Sequence, residues 1–445
     1  MQSGCRDADQ EYGVLNSPKP GRITSIPHLA ALRHKDFRYT WLATMASSAG
    51  MWTFIVAVSW FAFRESDSSA WVGIITFSGM IPFLIASPIS GLLADRMNRR
   101  NMVVLSFGGD ALVVGALTAL VLLGQVQLWH VVVAAFVSGV FRTSAEPAIQ
   151  SLIPNQVPES DLLNAITLNA MTRHGARLLG PLIVIILGGV DKVDVKSVLI
   201  LSTCLYAVGT VVMLRIITVS KGERVVGQSA VKGMMEGLSF IYRNQTIAIF
   251  ILLVAFHCAL VMSFESILPV FSTEQLGATD LSVLNLLVMG FGIGSMLGVL
   301  LIAGVRGEKL KGQLLVWTGI ASGVAPIIFA FMTNVASAVF MTAMMGASQG
   351  VFMAITNVYV LTITPDRLRG RVTSLYTLHA GGIMAFANLG YGFLADAISA
   401  PFIFVTTGTI FLVFVVSIMA GQPILRRVAR TGQVAPSTEA APASA

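Results

Sequence analysis

Six ionisable side chains interrupt stretches of this sequence that are otherwise strongly apolar. They are Asp110, Arg142, Glu146, Arg173, Arg177 and Glu265. A charge among apolar side chains or lipid is energetically costly, so each of these residues is a functional hypothesis by default. A carboxylate in such surroundings can take up a proton because desolvation disfavours its charged form, whereas a nearby arginine opposes that uptake. The set therefore predicts proton binding that depends on the position of neighbouring positive charges.

Three of these residues are carboxylates and hence candidate proton carriers, and Asp110 is the first choice among them. Helical rise places Asp110 and Arg142 at compatible depths, so we predict that Arg142 is the electrostatic partner of Asp110. Glu146 follows Arg142 by one turn on the same helix face. Glu265 lies nearer the outer end of its segment. The alternative for Asp110 is a fixed brace between helices.

The two remaining arginines, Arg173 and Arg177, share one face of a helix and join Arg142 in a predicted charge network. For Arg177, a tie between helices is favoured over a role as a substrate ligand. His257 lies at about the middle of another apolar stretch. We expect it to be a neutral, hydrogen-bonded core residue rather than a proton carrier.

The composition says what kind of structure must position these side chains. Of the 445 residues, 55% are hydrophobic and 11% are charged. Soluble domains carry roughly 25% charged residues, so this chain cannot cover a water-exposed surface. An all-α polytopic membrane protein is the class that remains. Its basic residues do not cluster on a soluble domain, which argues against a nucleic-acid partner.

Several motifs that would indicate an enzyme or a cofactor site are missing from the sequence. It contains no GxxxxGK[ST] or HExxH pattern, which argues against ATP hydrolysis and against a zinc-dependent membrane hydrolase. The three cysteines form neither a disulfide framework nor a metal pattern. We expect no catalytic residues, no metal and no cofactor.

Twelve segments are long and apolar enough to cross a bilayer as helices. They are 38–63, 70–94, 102–123, 128–151, 163–189, 195–217, 246–271, 281–304, 313–332, 336–361, 372–395 and 402–423. Most of the 29 Lys and Arg residues fall in the connections on one side, and the other side holds Arg64, Lys192 and Lys196. The positive-inside rule therefore predicts cytoplasmic N- and C-termini.

The chain divides into two similar halves. Short acidic and basic motifs recur at similar offsets in the two halves, which predicts a parallel repeat. We expect an N-terminal tail at 1–37, six-helix bundles at 38–217 and 246–425, a linker at 218–245 and a disordered tail at 426–445. Apolar residues in 231–242 have helical spacing, so the linker is predicted to carry an amphipathic helix at the membrane surface. A solvated linker is the alternative.

The segment 91–100, GLLADRMNRR, resembles the cytoplasmic loop motif G-x-x-x-D-R-x-G-R-R of the major facilitator superfamily. It departs from the motif at Asn98, which usually is Gly. The resemblance implies that Asp95 accepts from the N-terminus of span eleven, where a helix dipole favours an anion. The implied cytoplasmic gate comprises Gly91, Asp95, Arg96, Arg99, Arg100 and Arg371. The alternative is that the arginines are topology anchors alone.

Three further segments narrow this resemblance to one branch. They are FRTSAEPAIQ at 141–150, GARLLGP at 175–181 and PDRLRGRV at 365–372. Together they resemble the twelve-span drug:proton antiporters that include macrolide and enterobactin-type siderophore exporters. Gly175, Gly180 and Pro181 resemble the antiporter motif of span five, and their mechanical meaning is a kinked, close-packed helix.

The resemblance implies a bacterial inner-membrane protein that exports an amphipathic small molecule by proton antiport, functioning as a monomer in the lipid bilayer. A nutrient importer or a lysophospholipid flippase of the same fold is the alternative. An apolar cavity suits amphipathic cargo. Four aromatic residues on spans that line cavities in the family are weak candidates for substrate contacts: Trp52, Phe264, Phe352 and Phe386. Lipid contact or core packing is the alternative for each of them.

Overall fold

The protein is a bundle of long helices. A computed structural model describes residues 27–85, 97–188, 193–218, 230–303, 305, 307–365 and 368–434. In the first half of the chain the helices are α1 (Lys35–Ser66), α2 (Ser69–Met80), α3 (Pro82–Ile85), α4 (Arg99–Leu122), α5 (Leu128–Leu152), α6 (Glu159–Gly188) and α7 (Val195–Leu214). In the second half they are α8 (Ala230–Arg243), α9 (Gln245–His257), α10 (Leu268–Glu274), α11 (Ser282–Ala303), α12 (Glu308–Phe329), α13 (Val335–Ile363), α14 (Arg369–Ala397), α15 (Ala400–Gly421) and α16 (Pro423–Thr431).

The predicted all-α membrane architecture is confirmed. Within the described ranges, nine helices are long and apolar enough to cross a membrane. The other three predicted spans coincide with α2 and α3 together, with α6 and with α14. The arrangement is therefore compatible with the predicted twelve spans.

Close helix packing joins the two halves of the chain along two seams. One seam is formed by α2 and α14, and the other by α6 and α11. Small residues permit this close approach, as they do in other helix pairs in membranes. At Gly73 of α2, an added Cβ atom would lie 3.0 Å from the carbonyl oxygen of Asn388 on α14. The seams fix the geometry of any site that lies between the halves.

Span seven, predicted as one helix over 246–271, is interrupted in its C-terminal half. The α9 helix passes into a π-helical turn at Cys258–Met262, and the chain is non-helical over 263–267 before α10 begins. Pro269 explains part of the break because it has no N–H for the carbonyl of Glu265, four residues earlier, and because its ring disfavours a continuous helix there. Turns of π-helix frequently mark functional sites.

The C-terminal region differs from the prediction of a disordered tail from residue 426 onward. Residues up to Thr431 belong to α16, which buries Leu425 and Val428. Their spacing gives one apolar helix face, and this face packs against the beginning of α12. The predicted linker helix is also present, as α8. Residues 435–445 lie outside the described part of the chain.

Candidate functional site

An ion pair joins the two halves of the chain at the break in span seven. Arg177 of α6 donates from Nη2 to Oε1 of Glu265, which lies in the non-helical break of span seven. The side chains retain 16% and 15% of their exposure, so the pair is largely shielded from water. In such a site, removing one partner leaves the other charge poorly compensated. The pair is thus a strong connection that depends on both ionised groups.

Two aromatic rings hold the guanidinium group of Arg177. Its Cζ atom lies 4.0 Å from the ring centroid of Trp52 on α1 and 4.7 Å from that of Phe291 on α11. Both distances lie within the range of cation–π attraction. The arginine is therefore bound by one carboxylate and two ring faces that come from both halves of the chain.

A cavity opens beside this ion pair. The space that a water-sized molecule can occupy there is about 20 Å³, within a crevice of about 380 Å³ that is partly open to solvent. Its lining consists of Arg177, Glu265 and mainly apolar residues: Trp52, Ile55, Val56, Ser59, Phe264, Leu268, Leu284, Val288 and Phe291. A mostly apolar space with a few convergent polar groups is the usual form of a small-molecule site.

Side chains from the neighbouring helices satisfy the broken backbone around Glu265. Gln349 donates to the carbonyl of Val261 at 3.0 Å, and Tyr391 donates to that of Ala259 at 2.8 Å. The N–H of Ser266 donates to Oδ1 of Asn388 at 3.2 Å. In a membrane, irregular backbone requires such partners within the protein. The break is therefore a built element that presents Glu265 to the cavity.

The predicted span-five motif lies next to this site and brings helices together. Gly180 faces α1, where an added Cβ atom would lie 2.7 Å from the carbonyl oxygen of Ala49. Asn285 of α11 donates to the carbonyl of Pro181 at 3.0 Å and so links the two halves. Gly175 faces the sulfur of Met296 on α11, 3.6 Å from the position of an added Cβ atom. These contacts hold the α6 backbone, and hence Arg177, in place.

Substitution of Gly180 by Ala is expected to lower the apparent melting temperature of the detergent-purified protein by several degrees. The new methyl group must displace α1 or α6, and overpacking of this kind costs about 1–3 kcal/mol. Gly390→Ala is the matched control because an added Cβ atom at that position meets open space. Equal melting temperatures for the two variants would contradict the close approach at Gly180.

Asp110 lies apart from this cavity, within the first half of the chain. It is 3% exposed and accepts a hydrogen bond of 2.6 Å from Ser138 of α5. The predicted partner, Arg142, forms no direct ion pair with it. Arg142 instead donates to the carbonyl of Gly79 at 2.9 Å and contacts the sulfur of Met51 at 3.4 Å. The arginine therefore ties α5 to α2 and α1, and it acts on Asp110 only through space.

Substitution of Asp110 by Asn is accordingly expected to preserve most of the transport activity that the sequence resemblance implies. The amide oxygen can still accept from Ser138, so the contact between α4 and α5 is retained. A gradient-driven transport assay in everted vesicles measures the outcome. Loss of proton-driven transport in Asp110→Asn would instead favour Asp110 as the proton carrier.

Other predicted residues occupy several different places. Glu146 is half-buried and accepts from Gln150 at 2.8 Å. Phe264 and Trp52 line the cavity, but Phe352 is fully buried in the second half. There Phe352 packs against His257, whose ring nitrogens have no hydrogen-bond partner within the described part of the chain. The hydrogen bond that we predicted for His257 is therefore not formed there.

Phe386 and Arg173 are two further residues that were predicted for the site. Phe386 is 56% exposed and lies against Phe77 of α2, with ring centroids 5.2 Å apart. Arg173 lies on α6, one turn before Arg177, and its side chain is outside the described part.

The predicted cytoplasmic gate is described only in part. Gly91, Asp95 and Arg96 lie outside the described residues. Arg99 donates to the carbonyl of Ser151 at 3.0 Å, and Arg100 donates to that of Leu214 at 2.6 Å. Both carbonyls are at the ends of helices, where positive charge is favourable. These two arginines thus bind helix ends within the first half.

The other predicted gate residue, Arg371, forms an ion pair with Glu236 of the linker helix α8. A second contact joins the same two helices, since Tyr242 and His379 lie 3.2 Å apart at their hydrogen-bonding atoms. The linker is therefore attached to the beginning of α14. Sequence reasoning did not foresee this connection.

Sequence reasoning also missed Phe291 and Asn285, which complete the site around Arg177. A polar residue within the apolar segment 281–304 was the available signal for Asn285. Phe291 gave no signal, because one Phe in an apolar span is unremarkable in composition.

Residues 26–438 match the family described as transmembrane secretion effector, a branch of the major facilitator superfamily. The chain belongs to this family. The resemblance to that superfamily predicted from segment 91–100 and the three other motifs is therefore confirmed.

Several curated proteins are similar to this transporter along most of their length. It is 25% identical to the multidrug efflux pump Tap of Mycolicibacterium fortuitum, over 80% of this chain and 88% of that protein. It is 22% identical to macrolide efflux protein A of Streptococcus pyogenes, with the same two coverages. Members of this family are transporters, so the chain is a multi-pass membrane transporter and not an enzyme.

Solved structures agree with this fold. The D-xylose–proton symporter matches with a TM-score of 0.68 at 14% identity, covering 89% of this chain and 98% of that one. The nucleoside transporter NupG matches with a TM-score of 0.67 at 11% identity, covering 86% and 98%. At such low identity these similarities establish the major facilitator fold alone.

Proposed function

We propose that this transporter exports amphipathic small molecules, of the drug or macrolide type, from a bacterial cytoplasm by antiport with protons. The similarity to multidrug and macrolide efflux pumps supports export. The cavity supports the substrate class, because aromatic rings and one carboxylate suit an apolar molecule that carries a positive charge. The sequence resemblance also suggested siderophores as substrates. They suit this cavity only if the molecule that is exported is not strongly anionic.

The ion pair between Arg177 and Glu265 is the observation that carries the proton coupling. Glu265 can be neutralised in three ways: by Arg177, by a proton or by a cationic drug. Only one of these partners can occupy the carboxylate fully at a time. Competition for a single carboxylate would therefore exchange one drug molecule for one proton. Among the predicted acids we choose Glu265 over Asp110, since Glu265 faces the cavity and lies between the halves.

The same pair can prevent an unproductive movement of the empty transporter. An antiporter must not reorient without cargo, since such a step would dissipate the gradient. In the empty, deprotonated protein Arg177 binds Glu265 across the halves and holds the outer end closed. A proton or a drug on Glu265 removes the attraction, and the halves can then separate. A ligand shifts such an equilibrium only through its different affinity for the two states.

The proposed location, orientation and oligomeric state of the protein are those predicted from its sequence. We place the protein in the cytoplasmic membrane with both termini inside, and we take it to act as a monomer. The segments 38–217 and 246–425 are the two bodies that rock around the cavity. Alternating access around a site between two repeats is the general mechanism of such folds.

Everted membrane vesicles that contain the transporter provide the test. A radiolabelled macrolide is added after the vesicles have been energised, and macrolide uptake and the internal proton concentration are followed together. We expect uptake that stops on addition of a protonophore, and macrolide-dependent loss of the imposed proton gradient. Vesicles without the transporter are the control. Uptake that is undiminished by the protonophore and leaves the gradient intact would contradict proton antiport.

A further inference from the structure

A second contact between the halves lies at their outer ends, away from the cavity. The carboxylate of Asp396, in the last turn of α14, accepts hydrogen bonds from the beginning of α2. The donors are the hydroxyl of Ser68, the N–H of Ser69 at 2.5 Å and the N–H of Ala70 at 3.2 Å. One acid of the second half thus binds three donors of the first half.

This contact supplies a cap that α2 lacks within its own half. The first N–H groups of a helix have no partner inside the helix, and the hydroxyl of the N-cap residue usually accepts from one of them. Ser68 is the N-cap residue of α2, but its side chain forms no such bond. Its hydroxyl donates to Asp396 instead. The cap of α2 therefore comes from the opposite half of the protein.

The close packing of α2 against α14, one turn before Asp396, also requires the two halves to lie together. At Gly392 of α14, an added Cβ atom would lie 2.6 Å from the carbonyl oxygen of Ser69 and 2.9 Å from the Cα atom of Gly73. The two backbones are thus in direct contact for one turn beneath the carboxylate. Any separation of the outer ends must break the hydrogen bonds of Asp396 and leave the N-terminus of α2 uncapped.

We propose that Asp396 is an outer latch, a positioning residue that holds the outer face of the transporter closed. Its negative charge is attracted to the positive end of the α2 dipole, which strengthens the contact in the closed state alone. When the outer face is open, Asp396 and the first turn of α2 are separately exposed to water. The proposal relies on the proposed function only in assuming that the two halves separate during transport.

Distance measurements between the halves test the latch. Glu65 and Thr333 are exposed at the outer ends of the first and second halves. Spin labels are attached to cysteines at these positions in a chain whose three native cysteines are replaced by alanine. The distance distribution is then recorded without drug or gradient. We expect Asp396→Ala to raise the ratio of open to closed protein by roughly tenfold, from the loss of a charged helix cap.

Asp67→Asn is the matched control, because Asp67 is an exposed acid at the same face, one residue before Ser68. It removes the same charge without touching the cap, and its distribution should equal that of the parent. Ser68→Ala removes one donor and should give a smaller opening. Should Asp396→Ala fail to fold, Asp396→Asn replaces it, with an opening between those of Ser68→Ala and full loss of the cap.

Two results would overturn the latch. One is an unchanged distribution in the Asp396 variants, and the other is equal opening in Asp67→Asn, which would indicate a general effect of surface charge. Neither result bears on proton antiport, because the measurement involves no transport. Conversely, failure of macrolide export in vesicles would leave the distance result standing.

Discussion

Replacement of Glu265 by Gln is expected to abolish proton-driven drug export while drug exchange continues. Glutamine has the same shape but cannot bind or release a proton, so the gradient can no longer drive the cycle. The ion pair with Arg177 is also lost, which frees the empty transporter to reorient. Export against a concentration gradient should therefore fall to the level of vesicles without the transporter. Accumulation of labelled macrolide in everted vesicles measures it.

Counterflow in the same vesicles separates loss of coupling from loss of binding. Vesicles loaded with unlabelled drug should exchange it for labelled drug in Glu265→Gln, since exchange needs no net proton movement. Trp52 and Phe291 still line the cavity in this variant, so we expect exchange to continue at a higher drug concentration than in the parent. Asp110→Asn is the control and should retain both activities. Full proton-driven export in Glu265→Gln would exclude Glu265 as the proton carrier.

Removal of the Arg177 side chain is expected to have the second largest effect. In Arg177→Ala the carboxylate of Glu265 loses its counter-charge in a shielded site, so the competition that couples the drug to the proton loses one of its three partners. Breaking a buried pair from one side costs about 3–5 kcal/mol, and the residual 15% exposure of Glu265 places this pair toward the lower end. Export at neutral pH should therefore be lost, and the apparent melting temperature should fall.

The pH dependence of the same variant distinguishes coupling from misfolding. Raising the pH on both sides of the membrane favours loss of the proton from Glu265, so export by Arg177→Ala should recover in part. Arg177→Lys keeps the charge but not the planar group that lies between Trp52 and Phe291. We expect it to be intermediate at neutral pH. Recovery at lower rather than higher pH would contradict this role of Arg177.

The sequence was sufficient to predict the architecture because bilayer burial imposes strong constraints on composition. Few charges and long apolar segments are required of any helical membrane protein, and they can be counted directly. The functional site, in contrast, could be predicted from the sequence only in part. Arg177 and Glu265 were both recognised as costly charges, but their pairing joins residues that are 88 positions apart in separate halves. Depth along a helix can be estimated from a sequence, whereas the helix face and the partner depend on packing.

Two features of the structure depend on contacts between helices, which the sequence does not reveal. The break in span seven depends on Gln349, Tyr391 and Asn388, which donate to or accept from its backbone and lie on other helices. Hydropathy alone therefore predicted a continuous helix. Likewise, Asp110 and Arg142 have compatible depths, but Arg142 reaches Gly79 instead. A prediction from depth could not select between these two partners.

Proton release on drug binding is the most direct test of competition at Glu265. Purified transporter in weakly buffered detergent solution is mixed with a cationic macrolide, and a pH indicator dye records the protons released. The measurement is repeated over a series of starting pH values. We expect release from the parent and from Asp110→Asn in the same part of the series, and no release from Glu265→Gln at any pH. Equal release from Glu265→Gln, with none from Asp110→Asn, would contradict the central claim and place the proton on Asp110.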